Sequence, residues 1–242
     1  MVTFILVHGG GHGGWCWDAV VRRLTAAGHR ALAPDLPGMG ADPTPPADVT
    51  LEMTGRFIAD LAEREGNNVI LAGHSLGGIT ISEAAERAPQ AITGLVYVTA
   101  VLLPSGTAAF GNVLRDGKLA PGLRLSDDGT ALTVDPAHAR ERLYNGCEEA
   151  DAQRALTRLV PQPTRPMRDL LTLTPGRFGT IPRAYVECLH DNAIPIERQR
   201  SQQAVLPCRP VFTMKTGHSP FLQAPDELAA HLIAAASAFG CP

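Results

Sequence analysis

The chain has 242 residues, of which 45% are hydrophobic and 19% are charged, and its mean hydropathy is +0.01. This composition excludes a disordered, collagen-like or multi-pass membrane protein, and the length allows one large α/β domain. The formal net charge is −3, from 21 basic and 24 acidic residues. Because the sequence has no basic run, we expect neither nucleic acid nor an anionic membrane as a partner, but a small neutral or weakly polar molecule.

The five cysteines are odd in number, scattered, and without the spacing of metal ligands. They are Cys16, Cys147, Cys188, Cys208 and Cys241. We expect most of them to be small buried apolar groups in a reduced, cytoplasmic protein. The apolar run at residues 4–7 has no basic region before it, and no apolar stretch reaches the roughly 18–20 residues of a membrane span. A monomer and a homodimer both remain open.

Short apolar runs alternate with helical patterns near both ends of the chain. The predicted order begins with strand 3–7, helix 15–27, strand 30–33, helix 50–65, strand 68–72, helix 76–88 and strand 92–99. It resumes with strand 184–188, helix 196–204, strand 211–214 and helix 225–238. Near-continuous Val, Ile and Leu runs are typical of parallel strands that helices cover on both faces.

The alternation is lost over residues 104–179, where helical patterns appear only around 136–144 and 148–159. We interpret this segment as an inserted helical lid on a core formed by residues 1–103 and 180–242. The predicted fold class is α/β, with a mostly parallel sheet of about six strands flanked by helices. The apolar lid residues that could line a pocket, or form the lid's own small core, are Phe110, Leu114, Leu119, Leu123, Leu143, Tyr144, Leu159 and Met167.

Residues 73–77 read G-H-S-L-G, which matches the G-x-S-x-G motif between a predicted strand and a predicted helix. A tight turn there would expose the hydroxyl of Ser75, and the glycines would remove side chains that collide across the turn. The beginning of the helix also directs free N–H groups towards the reacting centre. The motif therefore predicts Ser75 as a nucleophile.

A serine nucleophile needs a base, and the base needs an orienting acid, in the chain order Ser, acid, His. Asp191 and His218 each follow a predicted strand, so we expect both at the carboxyl edge of the sheet beside Ser75. The alternative role of Asp191 is a turn or cap. His190 competes with His218, but it lies in the loop of the acid, and His231 falls within the last helix.

The glycine-rich loop at residues 8–14 follows the first strand. A tetrahedral oxyanion needs two N–H donors, and we predict the amides of Leu76 and Gly10. His8 and His12 have an HxxxH spacing, which presents two metal ligands together only on a helix; the glycines around them disfavour a helix, so no metal is expected. Cys16 and Trp17 could approach the acyl group from this loop.

Residues 3–17, 72–78, 217–221 and 225–228 together resemble the plant methylesterase and hydroxynitrile lyase branch of the α/β-hydrolase superfamily. Bacterial esterases that act on pyrethroids and on the carbamate carbendazim look similar too. The resemblance covers nearly the whole chain except residues 104–179. It implies a cofactor-free hydrolase with a six-stranded, mostly parallel sheet and a triad of Ser75, Asp191 and His218.

Two departures from the lyases of this branch favour an esterase. The lyases carry a threonine at the position of Gly9, and a lysine that serves the departing cyanide at the position of Ser219. We therefore expect a serine carboxylic-ester hydrolase for small hydrophobic or aromatic methyl esters, including methyl carbamates such as carbendazim. A lyase and a non-catalytic small-molecule receptor on the same scaffold remain the alternatives.

Overall fold

The computed structural model describes residues 1–241, so that Pro242, the last residue of the predicted core, lies outside the described residues. The first part of the chain alternates strands and helices. These elements are β1 (Thr3–Val7), α1 (Asp18–Ala26), β2 (Arg30–Leu32), α2 (Leu51–Glu65), β3 (Val69–His74), α3 (Gly77–Arg87) and β4 (Gly94–Val98). Each corresponds to a predicted element, with boundaries that differ by up to three residues.

The middle of the chain contains short elements of both kinds. They are β5 (Leu114–Arg115), β6 (Lys118–Leu119), β7 (Leu123–Leu125), β8 (Ala131–Val134), α4 (Pro136–Arg142), α5 (Glu149–Leu156), β9 (Gln162–Pro163) and α6 (Arg165–Arg168). The last part returns to the alternating pattern with β10 (Arg183–Cys188), α7 (Ile196–Val205), β11 (Val211–Met214), α8 (Pro220–Gln223) and α9 (Pro225–Ala238). Single 3₁₀ turns lie at Gly14–Trp17, Pro46–Asp48, Pro89–Ala91, Ala109–Val113 and Phe178–Thr180.

Six strands form one parallel sheet in the order β11–β10–β4–β3–β1–β2. Successive side chains of a strand point to opposite faces, so a strand buried on both faces needs apolar residues throughout. In β1, Phe4 and Leu6 join the core that includes side chains of α1 and α9, whereas Ile5 and Val7 join the core that includes side chains of α2 and α3. The expected α/β fold with helices on both faces of a parallel sheet is confirmed.

Helix α2 shows how local sequence positions these layers. Thr50 caps its first turn, because the Thr50 hydroxyl accepts a hydrogen bond from the amide of Met53 at 3.0 Å. Gly66 follows its last residue with φ of +82°, a left-handed conformation that glycine adopts without strain. Buried Leu51, Ile58 and Ala62 then face the sheet.

The prediction that residues 104–179 are helical is wrong in part. Helices α4 and α5 lie close to the two predicted helical patterns, but β5 and β6 form a hairpin and β7, β8 and β9 form an antiparallel sheet. Residues 123–134 carry the signal that the helical interpretation overlooked: two apolar runs flank a polar turn ending in Asp128-Gly129. That the segment acts as a lid stays a prediction.

Within residues 1–241, no helix combines the length and the apolar character that crossing a membrane requires.

Candidate active site

Ser75 lies in the tight turn between β3 and α3, with φ of +50°. This left-handed conformation is uncommon for a residue with a side chain and is characteristic of strained functional turns. Glycines allow the turn to pack closely: a Cβ atom on Gly77 would lie 2.7 Å from the carbonyl oxygen of His8, and one on Gly78 would lie 2.2 Å from that of Val101. Larger residues at 77 or 78 would displace the Ser75 hydroxyl.

His218 and Asp191 extend from Ser75 as a hydrogen-bonded chain. The Nε2 atom of His218 lies 2.9 Å from the Oγ atom of Ser75, and its Nδ1 atom lies 2.6 Å from the Oδ2 atom of Asp191. A carboxylate can only accept, so Nδ1 carries the proton and Nε2 is free to accept the proton of Ser75. The structure therefore brings the three predicted residues together in the arrangement that general-base activation of a serine requires.

The carboxylate of Asp191 is buried and receives hydrogen bonds on both oxygens. Its Oδ1 atom accepts from the amides of Ala193 at 2.6 Å and Ile194 at 2.8 Å, while Thr99 donates to Oδ2 beside His218. A buried carboxylate is tolerated only when such donors replace water. These contacts hold the carboxylate in place and orient it towards the imidazole.

The two competing histidines lie elsewhere. His190 is exposed, and only its backbone is engaged: its amide donates to the carbonyl of Thr216 at 3.0 Å, and its carbonyl accepts from the side chain of Asn145 at 2.7 Å. His231 lies within α9, with Nε2 at 3.6 Å from Glu227. Neither imidazole contacts Ser75.

His74, the variable residue of the motif before Ser75, is fully buried and positions the loop of His218. Its Nε2 atom donates to the backbone carbonyl of His218 at 2.7 Å, and the two rings lie 4.7 Å apart. Burial, followed by the positive charges of neighbouring histidines, lowers the pKa of His74 well below its usual value, so the ring is neutral. No role for His74 was predicted from the sequence, where only its position next to Ser75 could have indicated one.

The two predicted oxyanion donors are available. Within residues 1–241, the amides of Leu76 and Gly10 donate no hydrogen bond, and both residues line the cavity in front of Ser75. The neighbouring groups hold the loop: the amide of Gly11 donates to Gln162 Oε1 at 3.2 Å, and the carbonyl of Gly10 accepts from His12 Nδ1 at 2.8 Å. The free amides can accommodate a developing negative charge.

His12 connects this loop to the middle segment of the chain. Because the Nδ1 atom of His12 donates to the carbonyl of Gly10, its Nε2 atom is an acceptor. The hydroxyl of Tyr144 donates to this Nε2 atom at 2.9 Å. Burial lowers the pKa of His12 to about 3, which keeps it neutral. His8 has separate partners, since its Nε2 atom accepts from the amide of Leu36 at 3.1 Å. The HxxxH histidines do not converge, and no other group within residues 1–241 is arranged to hold a metal ion.

A cavity of about 310 Å³ opens in front of Ser75 and His218. Most of its lining residues are apolar, and four belong to the predicted set: Leu123, Leu143, Leu159 and Met167. Sequence reasoning missed several others, which lie on short elements or loops where no periodic pattern marks them. They include Val101, Asn112, Leu132, Arg142, Gln162 and Ile194.

Cys16 and Trp17 were wrongly placed at the cavity. Both are buried in the core beneath the loop, and the ring of Trp17 lies 5.4 Å from that of Phe221. The turn at Gly14–Trp17 directs them to α9 and the sheet, because burying large apolar rings outweighs their proximity in sequence to Gly10.

Four predicted residues of the middle segment also lie outside the cavity lining. The guanidinium carbon of Arg168 lies over the ring of Phe110, 3.8 Å from the centre of that ring. Leu114 pairs with Leu119 across the β5–β6 hairpin. Tyr144 is buried in a small separate core with Cys147. Phe110 and Leu119 pack against the main core, and Tyr144 belongs to the small one, so these residues attach the segment to the rest of the fold.

Comparisons with known proteins place these observations in context. The model of the alpha/beta hydrolase family matches residues 4–231. A pyrethroid hydrolase from Sphingobium wenxiniae is 35% identical over 248 residues, covering 95% of this chain and 85% of that protein. Putative methylesterase 11, chloroplastic, from Arabidopsis thaliana is 29% identical over 239 residues; the alignment covers 93% of this chain but only 61% of the relative. The crystal structure of a pyrethroid hydrolase from Sphingobium faniae JZ-2 matches with a TM-score of 0.86 and 33% identity, covering 98% of both chains.

Proposed function

The chain belongs to the alpha/beta hydrolase family, and from this membership we propose that it is a serine carboxylic-ester hydrolase that works through an acyl-enzyme. Relatives named as a pyrethroid hydrolase and a putative methylesterase support a carboxylesterase-type hydrolase. The observation that carries the serine mechanism is the continuous hydrogen-bonded chain from Asp191 through His218 to Ser75.

In the proposed reaction, His218 takes the proton of Ser75 as the Oγ atom attacks the ester carbonyl. The amides of Leu76 and Gly10 bind the resulting oxyanion, and loss of one such donor typically costs about 2.7–4 kcal/mol of transition-state stabilisation. His218 then protonates the departing alcohol and activates the water that releases the acid. Asp191 holds the imidazole in the required tautomer and stabilises the imidazolium.

The cavity supports a small, largely apolar acyl or alcohol group. Its volume of about 310 Å³ is at the lower end of ordinary ligand pockets. We propose small hydrophobic or aromatic esters as substrates, methyl esters among them, with methyl carbamates such as carbendazim as a further class. Cytoplasmic location stays a prediction, and no choice is made between a monomer and a homodimer.

Two contacts weigh against the lyase alternative. Ser219, at the position of the lyase lysine, is buried and donates its hydroxyl to the carbonyl of Leu143 at 2.7 Å, so it places no positive charge in the cavity. A Cβ atom on Gly9, where the lyases carry threonine, would lie 2.8 Å from the Cβ atom of Ser75. A side chain at position 9 would therefore need the turn to shift.

The decisive experiment compares wild type, Ser75→Ala and the matched surface variant Ser201→Ala on p-nitrophenyl esters, aromatic methyl esters and methyl carbamates. We expect wild type and Ser201→Ala to hydrolyse members of the panel equally, and Ser75→Ala to lose at least about 10⁴-fold in kcat. A fluorophosphonate probe followed by peptide mass spectrometry should label Ser75. Absence of turnover and labelling in wild type would contradict the hydrolase, and would favour the non-catalytic receptor.

A further inference from the structure

One cation lies in the wall of the otherwise largely apolar cavity. Arg142, the last residue of α4, is half-buried and lines the same cavity as Ser75 and His218. Placing a guanidinium beside apolar side chains such as Leu143 and Ile194 removes part of its hydration, which is unfavourable unless an anion or a set of acceptors replaces the water.

Within residues 1–241, the side chain of Arg142 forms no ion pair and no hydrogen bond. Arg140, two residues earlier on the same helix, differs: it pairs with Glu149 at 3.0 Å and donates to the carbonyl of Tyr144 at 2.6 Å. Arg140 therefore has an acidic partner and binds the carbonyl group that follows α4, and Arg142 takes part in neither contact.

The nearest carboxylate of the site is not available to Arg142. Asp191 contributes an attractive charge to the surroundings of Arg142, but its two oxygens already accept from His218, Thr99 and two backbone amides. Glu141, the adjacent residue, is exposed and forms no ion pair with Arg142 within the described chain. Arg142 therefore lines the cavity, and the donors of its guanidinium are unused within the described residues.

Two more arginines, Arg115 and Arg198, lie near this end of the cavity without lining it. Burial, and then the positive charge of Arg115, lower the pKa of both Arg142 and Arg198. Arg198 donates to the side-chain oxygen of Asn112, another lining residue, so its own donors are partly used.

We propose that Arg142 binds a carboxylate on the part of the substrate that does not react, so that the preferred substrates are half-esters of dicarboxylic acids. The inference rests on the proposed ester hydrolysis and refines its substrate class. The planar guanidinium matches the two oxygens of a carboxylate, and the apolar walls accommodate the hydrocarbon between the carboxylate and the ester. This proposal replaces the expectation of a neutral or weakly polar substrate with that of a substrate carrying one negative charge.

The test uses pairs of substrates that have nearly the same shape and differ in charge. Monomethyl succinate, adipate and terephthalate are each compared with the ester in which an amide replaces the free carboxylate. We expect wild type to favour at least one half-ester by about ten- to hundredfold in kcat/KM, mainly through KM, because hydrogen bonds to charged groups contribute about 1.5–3 kcal/mol.

Arg142→Gln should abolish this preference, and Arg142→Lys should restore part of it. Arg124→Gln removes an exposed arginine of β7 in the same segment, and it should keep the wild-type preference. Equal kcat/KM for both members of every pair in wild type, or an undiminished preference in Arg142→Gln, would overturn the proposal.

Binding separates this proposal from the proposed reaction. Calorimetric titration of Ser75→Ala should show tighter binding of the half-ester than of its amide, and the difference should vanish in Ser75→Ala/Arg142→Gln. If wild type hydrolyses no ester but this difference remains, the hydrolase proposal fails while the anion site stands. Equal binding of the two ligands to Ser75→Ala would refute the anion site even if esters are hydrolysed.

Discussion

The carboxyl edge of the central sheet and the segment at residues 104–179 contribute to the same cavity in different ways. At the sheet edge, buried parallel strands end beside one another, and hydrogen bonds hold each reacting group. The middle segment supplies walls from strands of two to four residues and helices of four to eight residues, several of them only half-buried.

Because the two regions differ in this way, we expect the proposed reaction and the recognition of substrate to depend on different parts of the molecule. Each of β3, β10 and β11 pairs with a parallel neighbour in the six-stranded sheet, so the residues that follow these strands keep a constant relative geometry. Helices α4 and α5 pack around a small core of their own, whereas Leu132 and Met167 join the main core, so we expect sequence changes in α4 and α5 to cost the central sheet least. We therefore expect the proposed reaction to depend on the sheet edge, and the choice of substrate to depend on the segment at residues 104–179.

The largest expected effect lies at the sheet edge. Asp191→Asn replaces a charged acceptor with a neutral amide that no longer selects the His218 tautomer, so we expect kcat for ester hydrolysis to fall about 10⁴-fold. Asp60→Asn, on the exposed side of α2, should keep wild-type activity. Steady-state kinetics of both variants on one good substrate makes the comparison. A loss below tenfold in Asp191→Asn would mean that Asp191 does not orient the base.

A pair of leucine truncations compares the stability of the two regions. Leu71→Ala, in fully buried β3, should lower the free energy of unfolding by about 2.7–5 kcal/mol, because it leaves a cavity in the core. Leu123→Ala, at the half-buried cavity wall, should cost about 1 kcal/mol, because the site is already open to solvent. Urea denaturation measures both values. Similar losses would show that the middle segment is as tightly coupled to the core as the sheet is.

The third comparison concerns how stability depends on the pKa of His12, which lies where the two regions meet. Its pKa falls from 6.5 to about 3 on folding, so the unfolded chain binds a proton that the folded one excludes. The stability from keeping this ring neutral is complete above about pH 6.5 and declines as the pH falls towards 3. From pH 7 to pH 5, wild type should lose about 2 kcal/mol more than His12→Asn, which has no titratable group there.

Urea denaturation at the two pH values measures the difference. Tyr144→Phe is the control, because it removes the hydrogen bond to Nε2 but keeps the imidazole; it should retain the steeper wild-type dependence on pH. Identical pH dependence in wild type and His12→Asn would contradict a neutral, buried His12.

Local patterns in the sequence determined the fold class and the identity of the residues at the sheet edge. The apolar runs of β1, β3 and β4 predicted strands buried on both faces, and residues 73–77 marked the turn that holds Ser75. Asp191 and His218 were found because each follows a strand, and the carboxyl ends of parallel strands meet at one edge. The strands and the turn were predictable because hydrophobic period and turn chemistry are encoded within a few neighbouring residues, whereas the order of the strands in the sheet was not predicted.

Tertiary structure alone decided which side chains support and surround that edge. Tyr144 and His12 are 132 residues apart in sequence, and no local pattern connects them. Trp17 turned into the core rather than towards the substrate, because burying its ring against Phe221 outweighs its place in the chain. Arg142 resembles any helical surface arginine in the sequence; only the packing of α4 against the cavity leaves its guanidinium half-buried and without a partner within the described residues. Burial and charge balance arise from segments far apart in the chain, so they are properties of the assembled fold.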